Sequence, residues 1–177
     1  MCTNTGGTGR AGNGAGANGA PALDSNLVKR ANESSVTDIG DSTVRAYQRN
    51  AEFINGTVLD DSEKREAISK LHELTIAQLE AEADTVNPYA TGRGVARFDR
   101  QLTGRTGDKA INARLAVEDH IKSVREREHT VIRQRQQKAM TDAMANALSN
   151  GLLEFNVNGA TYRRKSKRAK SFERVYS

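Results

Sequence analysis

The chain of 177 residues has no tryptophan, one cysteine and two prolines, and aromatic residues make up only 5% of it. With Cys2 alone, an internal disulfide framework is excluded. No stretch approaches the roughly 18 consecutive apolar residues that a membrane-spanning helix needs, so no integral membrane segment is expected. Residues 1–22 also lack the apolar run of a secretory signal, and Cys2 does not read as a lipoprotein acceptor for the same reason. The setting this favours is the cytosol or a particle assembled there. The catalytic signatures G-x-S-x-G, H-E-x-x-H and C-x-x-C are missing, as is a P-loop. The expectation is a non-enzyme with no cofactor and no metal. At 36% hydrophobic residues, any core must be thin.

What is present is charge arranged in blocks. Residues 1–57 balance at zero, 58–86 carry 8 acidic against 3 basic residues, and 87–138 carry 12 basic against 6 acidic. Residues 151–177 add 7 basic against 2 acidic. An acidic helix followed by a basic half suits pairing within or between subunits, with the basic excess left for an acidic partner. Solvated helix faces are the plainer explanation.

Residues 1–35 read as a disordered Gly/Ala/Asn-rich segment with nothing to bury, although 23–30 could form a short helix or an extended lead-in. Gly7, Gly9 and Gly12 fit G-x-G-x-x-G, but no strand can precede them, so dinucleotide binding is not expected. A helical domain is expected over 36–150. Its first clear helix spans about 41–54, with Val44, Tyr47, Ala51 and Ile54 on one face, Asp41 as the N-cap and Asn55-Gly56 as a left-handed stop. The next runs from Asp60 or Asp61 to about Thr85. Asp60 and Glu63 stand at capping-box spacing, and Ile68, Leu71, Thr75 and Leu79 form its stripe. His72 reads as a solvent-edge histidine rather than a ligand.

Residues 87–107 hold Gly92, Gly94, Gly104 and Gly107 among Arg93, Arg97, Arg100 and Arg105. Gly-rich turns and arginines can hold phosphate, so these four arginines are candidate anion-binding residues. The competing reading is a helix–turn–helix connection with glycine caps. A long helix is then expected over 108–148, about 60 Å at roughly 1.5 Å per residue. Its heptad positions Ala110, Val117, Val124 and Val131 make a narrow, charge-interrupted seam, so partner helices from this or a second chain are expected.

Asn150-Gly151 should stop that helix. Over 151–164, Asn158-Gly159 between alternating runs marks a β-hairpin, pairing Val157 with Ala160, Asn156 with Thr161, Phe155 with Tyr162 and Glu154 with Arg163. The remainder, 165–177, reads as a basic tail. Arg163, Arg164, Lys165, Lys167, Arg168 and Lys170 crowd one eight-residue window and are candidate contacts for DNA or RNA phosphates, an anionic membrane surface or an acidic protein. Phe172, Val175 and Tyr176 could stack on bases, with packing against the fold the more economical role.

The Met-Cys start, the Gly/Ala-rich segment, the long Ala/Gln/Arg helix and the helix leading through Asn-Gly into LEFNVNGATYRR together resemble internal virion and small structural proteins of short-tailed bacteriophages. That resemblance implies a particle component located in the virion and the host cytoplasm, whose partners are other virion proteins, itself, or packaged DNA. The more apolar segment that such internal proteins often carry has no counterpart here. The fold expected is mainly α, a helical hairpin or bundle with one long helix in the C-terminal half, then a small β-hairpin. The function expected is structural assembly, with nucleic-acid binding through the Arg-rich segment and basic tail as the alternative.

Overall fold

The computed structural model describes residues 19–34, 38–84 and 99–176, with side chains from 109 onward in the last stretch. The architecture is mainly helical, and a small antiparallel sheet follows the long helix. The chain divides into two compact units, Met1–Val124 and Arg125–Ser177.

In the first unit, the lead-in is helix α1 (Ser25–Glu33), begun by the Asp24 carboxylate accepting the Asn26 N–H at 2.9 Å. Leu27 and Ala31, one turn apart, bury against Leu79 of α3 (Asp61–Ala83). Helix α2 is Ile39–Asn55 and starts earlier than Asp41. Its preceding residue, Asp38, is left-handed and makes no side-chain cap. Capping comes instead from α1: Asn32 accepts the Asp41 N–H and donates to the Asp41 carboxylate, both at 3.0 Å. Gly40 permits this approach, since a Cβ there would stand 2.5 Å from the Val28 carbonyl oxygen. At the far end Gly56 is right-handed (φ −80), not the left-handed stop that Asn-Gly suggests. Its N–H serves the Glu52 and Phe53 carbonyls, and the Thr57 hydroxyl donates to Ile54, so no left-handed residue is required.

Helix α3 opens with the expected capping box. The Glu63 N–H donates to Asp60 at 2.8 Å and the Asp60 N–H donates to Glu63 at 3.4 Å. Ile68, Leu71, Thr75 and Leu79 are all buried, as their spacing requires. Tyr47 is a packing residue whose hydroxyl donates to the Pro21 carbonyl at 2.8 Å, and burial pushes that phenol's pKa up. His72 stands beside its ring, with 6.0 Å between centroids. Helix α3 ends at Ala83; Thr85 lies outside the described residues.

Helix α4 (Asp99–Ser149) has 51 residues and begins well before Asp108. Gly104 and Gly107, read from sequence as turn or cap glycines, lie inside it. Each glycine costs about 1 kcal/mol relative to alanine, which a long run of good helix formers outweighs. Val117 and Val124 are buried, and the His120 Nε2–H donates to the Ala67 carbonyl at 2.8 Å, joining α4 to α3.

The second unit holds the end of α4 and the sheet. Gly151 is left-handed (φ 65), with the Leu152 N–H reaching back to Ala147 at 2.8 Å, so Asn150-Gly151 does terminate the helix. Strands β1 (Glu154–Val157) and β2 (Ala160–Arg163) pair in the register expected from the turn, whose Asn158 and Gly159 both have positive φ. The Asn158 amide donates to the Gln136 carbonyl at 3.1 Å and ties the hairpin tip to α4. A third strand, β3 (Glu173–Val175), pairs antiparallel with β2 where sequence reading expects only a tail. Its anchor is Phe172, edge-on to Phe155 with centroids 4.8 Å apart, while Phe155 stacks on Tyr162 at 5.3 Å.

Candidate anion-binding surface

The basic residues of the C-terminal unit are sorted by the sheet. Arg163 closes β2 and Arg164 follows it, and the two meet different partners. Arg163 sits across from Glu154 on β1 and from Glu173 on β3. Its guanidinium donates through Nε and Nη2 to one Glu154 oxygen, at 2.8 and 2.6 Å. The cross-strand charge pair expected from sequence therefore forms, and it neutralises one candidate.

Arg164, a candidate from the same cluster, is 5% exposed. Its backbone N–H pairs with Leu153, Nη1 donates to the Ala169 carbonyl at 3.1 Å, and the guanidinium lies 5.4 Å over the Phe172 ring. A turn closed by Ala169 N–H to Ser166 thus wraps back over Arg164. That turn holds Lys167 and Arg168 outward, and Lys170 follows it. These three are exposed and make no ion pair among the described residues, while Lys165 stands 3.9 Å from Glu173. Arg174, absent from the sequence-derived candidates, joins them through β3 and lies over Tyr176 at 5.3 Å. The missing signal was the third strand itself.

Arg93 and Arg97 lie outside the described residues. Arg100 and Arg105 fall within α4, so their backbone is helical rather than a phosphate-cradling loop.

A second cluster, in the helical unit, escaped sequence reading. Glu82 is 3% exposed; its carboxylate accepts from the Thr43 hydroxyl at 2.9 Å and from the Gln78 amide at 2.8 Å. Burial pushes the Glu82 carboxyl above the usual carboxylate range, against the opposing pull of Gln78, Thr43 and the Arg114 charge. A cleft of about 470 Å³ adjoins it, with Arg114 and Glu118, themselves 3.5 Å apart, on its wall. Thr43 lies 39 residues before Glu82, and no local spacing announces such a pair.

Among the described residues no group of three or more His, Cys, Asp or Glu side chains is arranged to hold a metal, and no helix is long and apolar enough to cross a membrane. Compared with known proteins, the chain matches no family model, no curated protein and no solved structure.

Proposed function

We propose that this chain is a non-enzymatic assembly protein that works through helix-mediated oligomerisation, as a component of a bacteriophage particle. The observation that carries this reading is the uncovered apolar surface on α4: Ile111 and Leu115, one turn apart, are 50% and 43% exposed. Such a pair on an otherwise charged helix suits a facing helix of a second copy. The outline shared with small phage structural proteins supports a particle, made in the host cytoplasm, as the setting. Light scattering over a range of protein concentrations tests the reading. Mass should rise with concentration, and replacing both Ile111 and Leu115 by Asp should move the rise to higher concentration. A monomer at every concentration sinks it.

A second reading, nucleic-acid binding, draws on Lys167, Arg168 and Lys170, which are exposed and have no ion-pair partner among the described residues. Affinity should then fall with salt, and each phosphate contact should contribute about 0.7–0.9 to the logarithmic slope. Alanine at all three positions should abolish most of it. Salt-independent binding, or none, removes this reading.

A further inference from the structure

A buried guanidinium ordinarily has its N–H groups paired, because a donor removed from water without an acceptor loses its hydration with nothing in return. Among the described residues, the buried side-chain polar atoms left without a hydrogen-bond partner are Nε and Nη2 of Arg164. These two atoms share one edge of the guanidinium. Their parallel N–H groups match the spacing of two oxygens on a single oxyanion, the side-on fork by which arginine grips phosphate and carboxylate. Beside Arg164 is a pocket of about 170 Å³, also lined by Arg163, Lys165, Glu173, Arg174 and Val175. With Arg163 paired to Glu154 and Lys165 beside Glu173, Arg164 and Arg174 leave it a net positive field that favours an anion. Of the nearby carboxylates, Glu154 holds Arg163 at 2.6 Å, and Glu173, on the pocket wall, stands by Lys165.

We infer that Arg164 anchors a phosphate-binding site, with Nε–H and Nη2–H on two phosphate oxygens and with Lys165 and Arg174 supplying further positive charge. The surplus of cations suits the higher charge of phosphate over a carboxylate. Both donor atoms are covered, so entry requires the turn from Ser166 to Ala169, which wraps over Arg164 and holds its Nη1, to shift. The site needs nothing from the assembly reading. It sharpens the nucleic-acid reading, and rests on it only for a backbone as the source of the phosphate.

The test is a titration of the full-length, nitrogen-15-labelled protein with inorganic phosphate at constant ionic strength, following the arginine Nε–H resonances. The Arg164 resonance should shift and saturate with phosphate but not with chloride. Arg164→Lys keeps the charge, removes the fork and should abolish the saturable binding. Should lysine there loosen the sheet, Lys165→Ala and Arg174→Ala leave Arg164 and its contact with Phe172 in place. Each should weaken phosphate binding roughly tenfold, the effect of one cation lost beside the anion. An Arg164 resonance that phosphate does not move overturns the site, as does undiminished binding in both alanine variants. A second arm uses a short single-stranded oligonucleotide. The same resonance shift supports the site with backbone phosphate as its source. An oligonucleotide that binds without moving Arg164, where phosphate does saturate it, keeps the site for free phosphate alone and leaves the basic-surface reading standing. Phosphate that saturates Arg164 while the oligonucleotide fails to bind keeps the site for free phosphate and removes the nucleic-acid reading.

Discussion

Glu82 and Arg164 are both almost wholly buried, one in each unit, and the protein surrounds them differently. Glu82 lies among α2 and α3 with Thr43 and Gln78 turned toward it, and its backbone carbonyl also accepts from Ser34 of the segment after α1. Arg164 has one carbonyl and one aromatic face, and two donors to spare. A buried charge whose partners are all internal acts as a joint between elements. A buried charge with unused donors is prepared for something brought from outside. The surrounding composition follows the same division. Residues 1–124 carry 15 basic against 17 acidic residues, net −2, whereas 125–177 carry 12 against 5, net +7. The helical unit is nearly neutral and satisfies itself; the C-terminal unit keeps a surplus.

The largest test of that contrast is packing. Leu79 of α3 is fully buried against α1, so Leu79→Ala should cost about 2–5 kcal/mol in denaturant unfolding. Phe155 is only half-buried, and truncating it to alanine should cost less, about 1–2 kcal/mol. Equal losses would mean that the sheet carries as firm a core as the helices, and the contrast would fall.

Glu82 gives the next effect. Glu82→Ala removes the acceptor of the Thr43 hydroxyl and leaves the Gln78 amide only its 3.3 Å bond to Thr43, at about 1–3 kcal/mol. Glu82→Gln instead separates charge from hydrogen bonding. A carboxyl whose folded pKa is raised binds its proton more tightly when folded. Its protonation therefore adds stability below the unfolded value of about 4.3, and that contribution is lost as pH rises through the higher folded value. The stability of Glu82→Gln relative to wild type should accordingly improve as pH is raised through this window. A difference that stays flat with pH would show that burial does not strain the carboxylate.

Much of the fold was legible because its signals are local. Asn158-Gly159 sets the hairpin register through backbone conformation alone, and Asp60 with Glu63 announces the start of α3 within four residues. What was hidden depends on distant partners. Glu82 stands between Glu80 and Asp84, one more acid of an acidic helix until Thr43 is brought against it. Arg164 is indistinguishable from its basic neighbours until β3 carries Phe172 beneath it. The start of α2 was misread for a related reason, since its cap comes from Asn32 on another helix. Gly40 can be used to test this last point. A Cβ there would meet the Val28 carbonyl oxygen at 2.5 Å and the Asn32 amide oxygen at 2.8 Å, so Gly40→Ala should push α1 from α2 and cost about 1–3 kcal/mol. A neutral thermal shift would mean that the α1–α2 approach is not close-packed.

The smallest effect on stability bears most directly on the surplus of the C-terminal unit. Glu154→Gln removes the carboxylate facing Arg163 but retains an acceptor of nearly the same shape. The pair is exposed and cross-strand, so the loss should be about 0.2–1 kcal/mol, near the limit of a melting measurement. Its effect on binding should be easier to see. Freeing Arg163 adds a cation next to Lys165 and Arg174, so affinity for a polyanion should increase, and the logarithmic salt slope should steepen by about 0.7–0.9 if the freed guanidinium meets one more phosphate. A helical-unit substitution of the same charge sign, Glu118→Gln beside Arg114, should leave that slope unchanged. Equal steepening by both substitutions would mean that overall charge, and not the surface built on the sheet, governs binding. Steepening by Glu154→Gln alone would locate the working surplus at the end of β2, next to the buried Arg164.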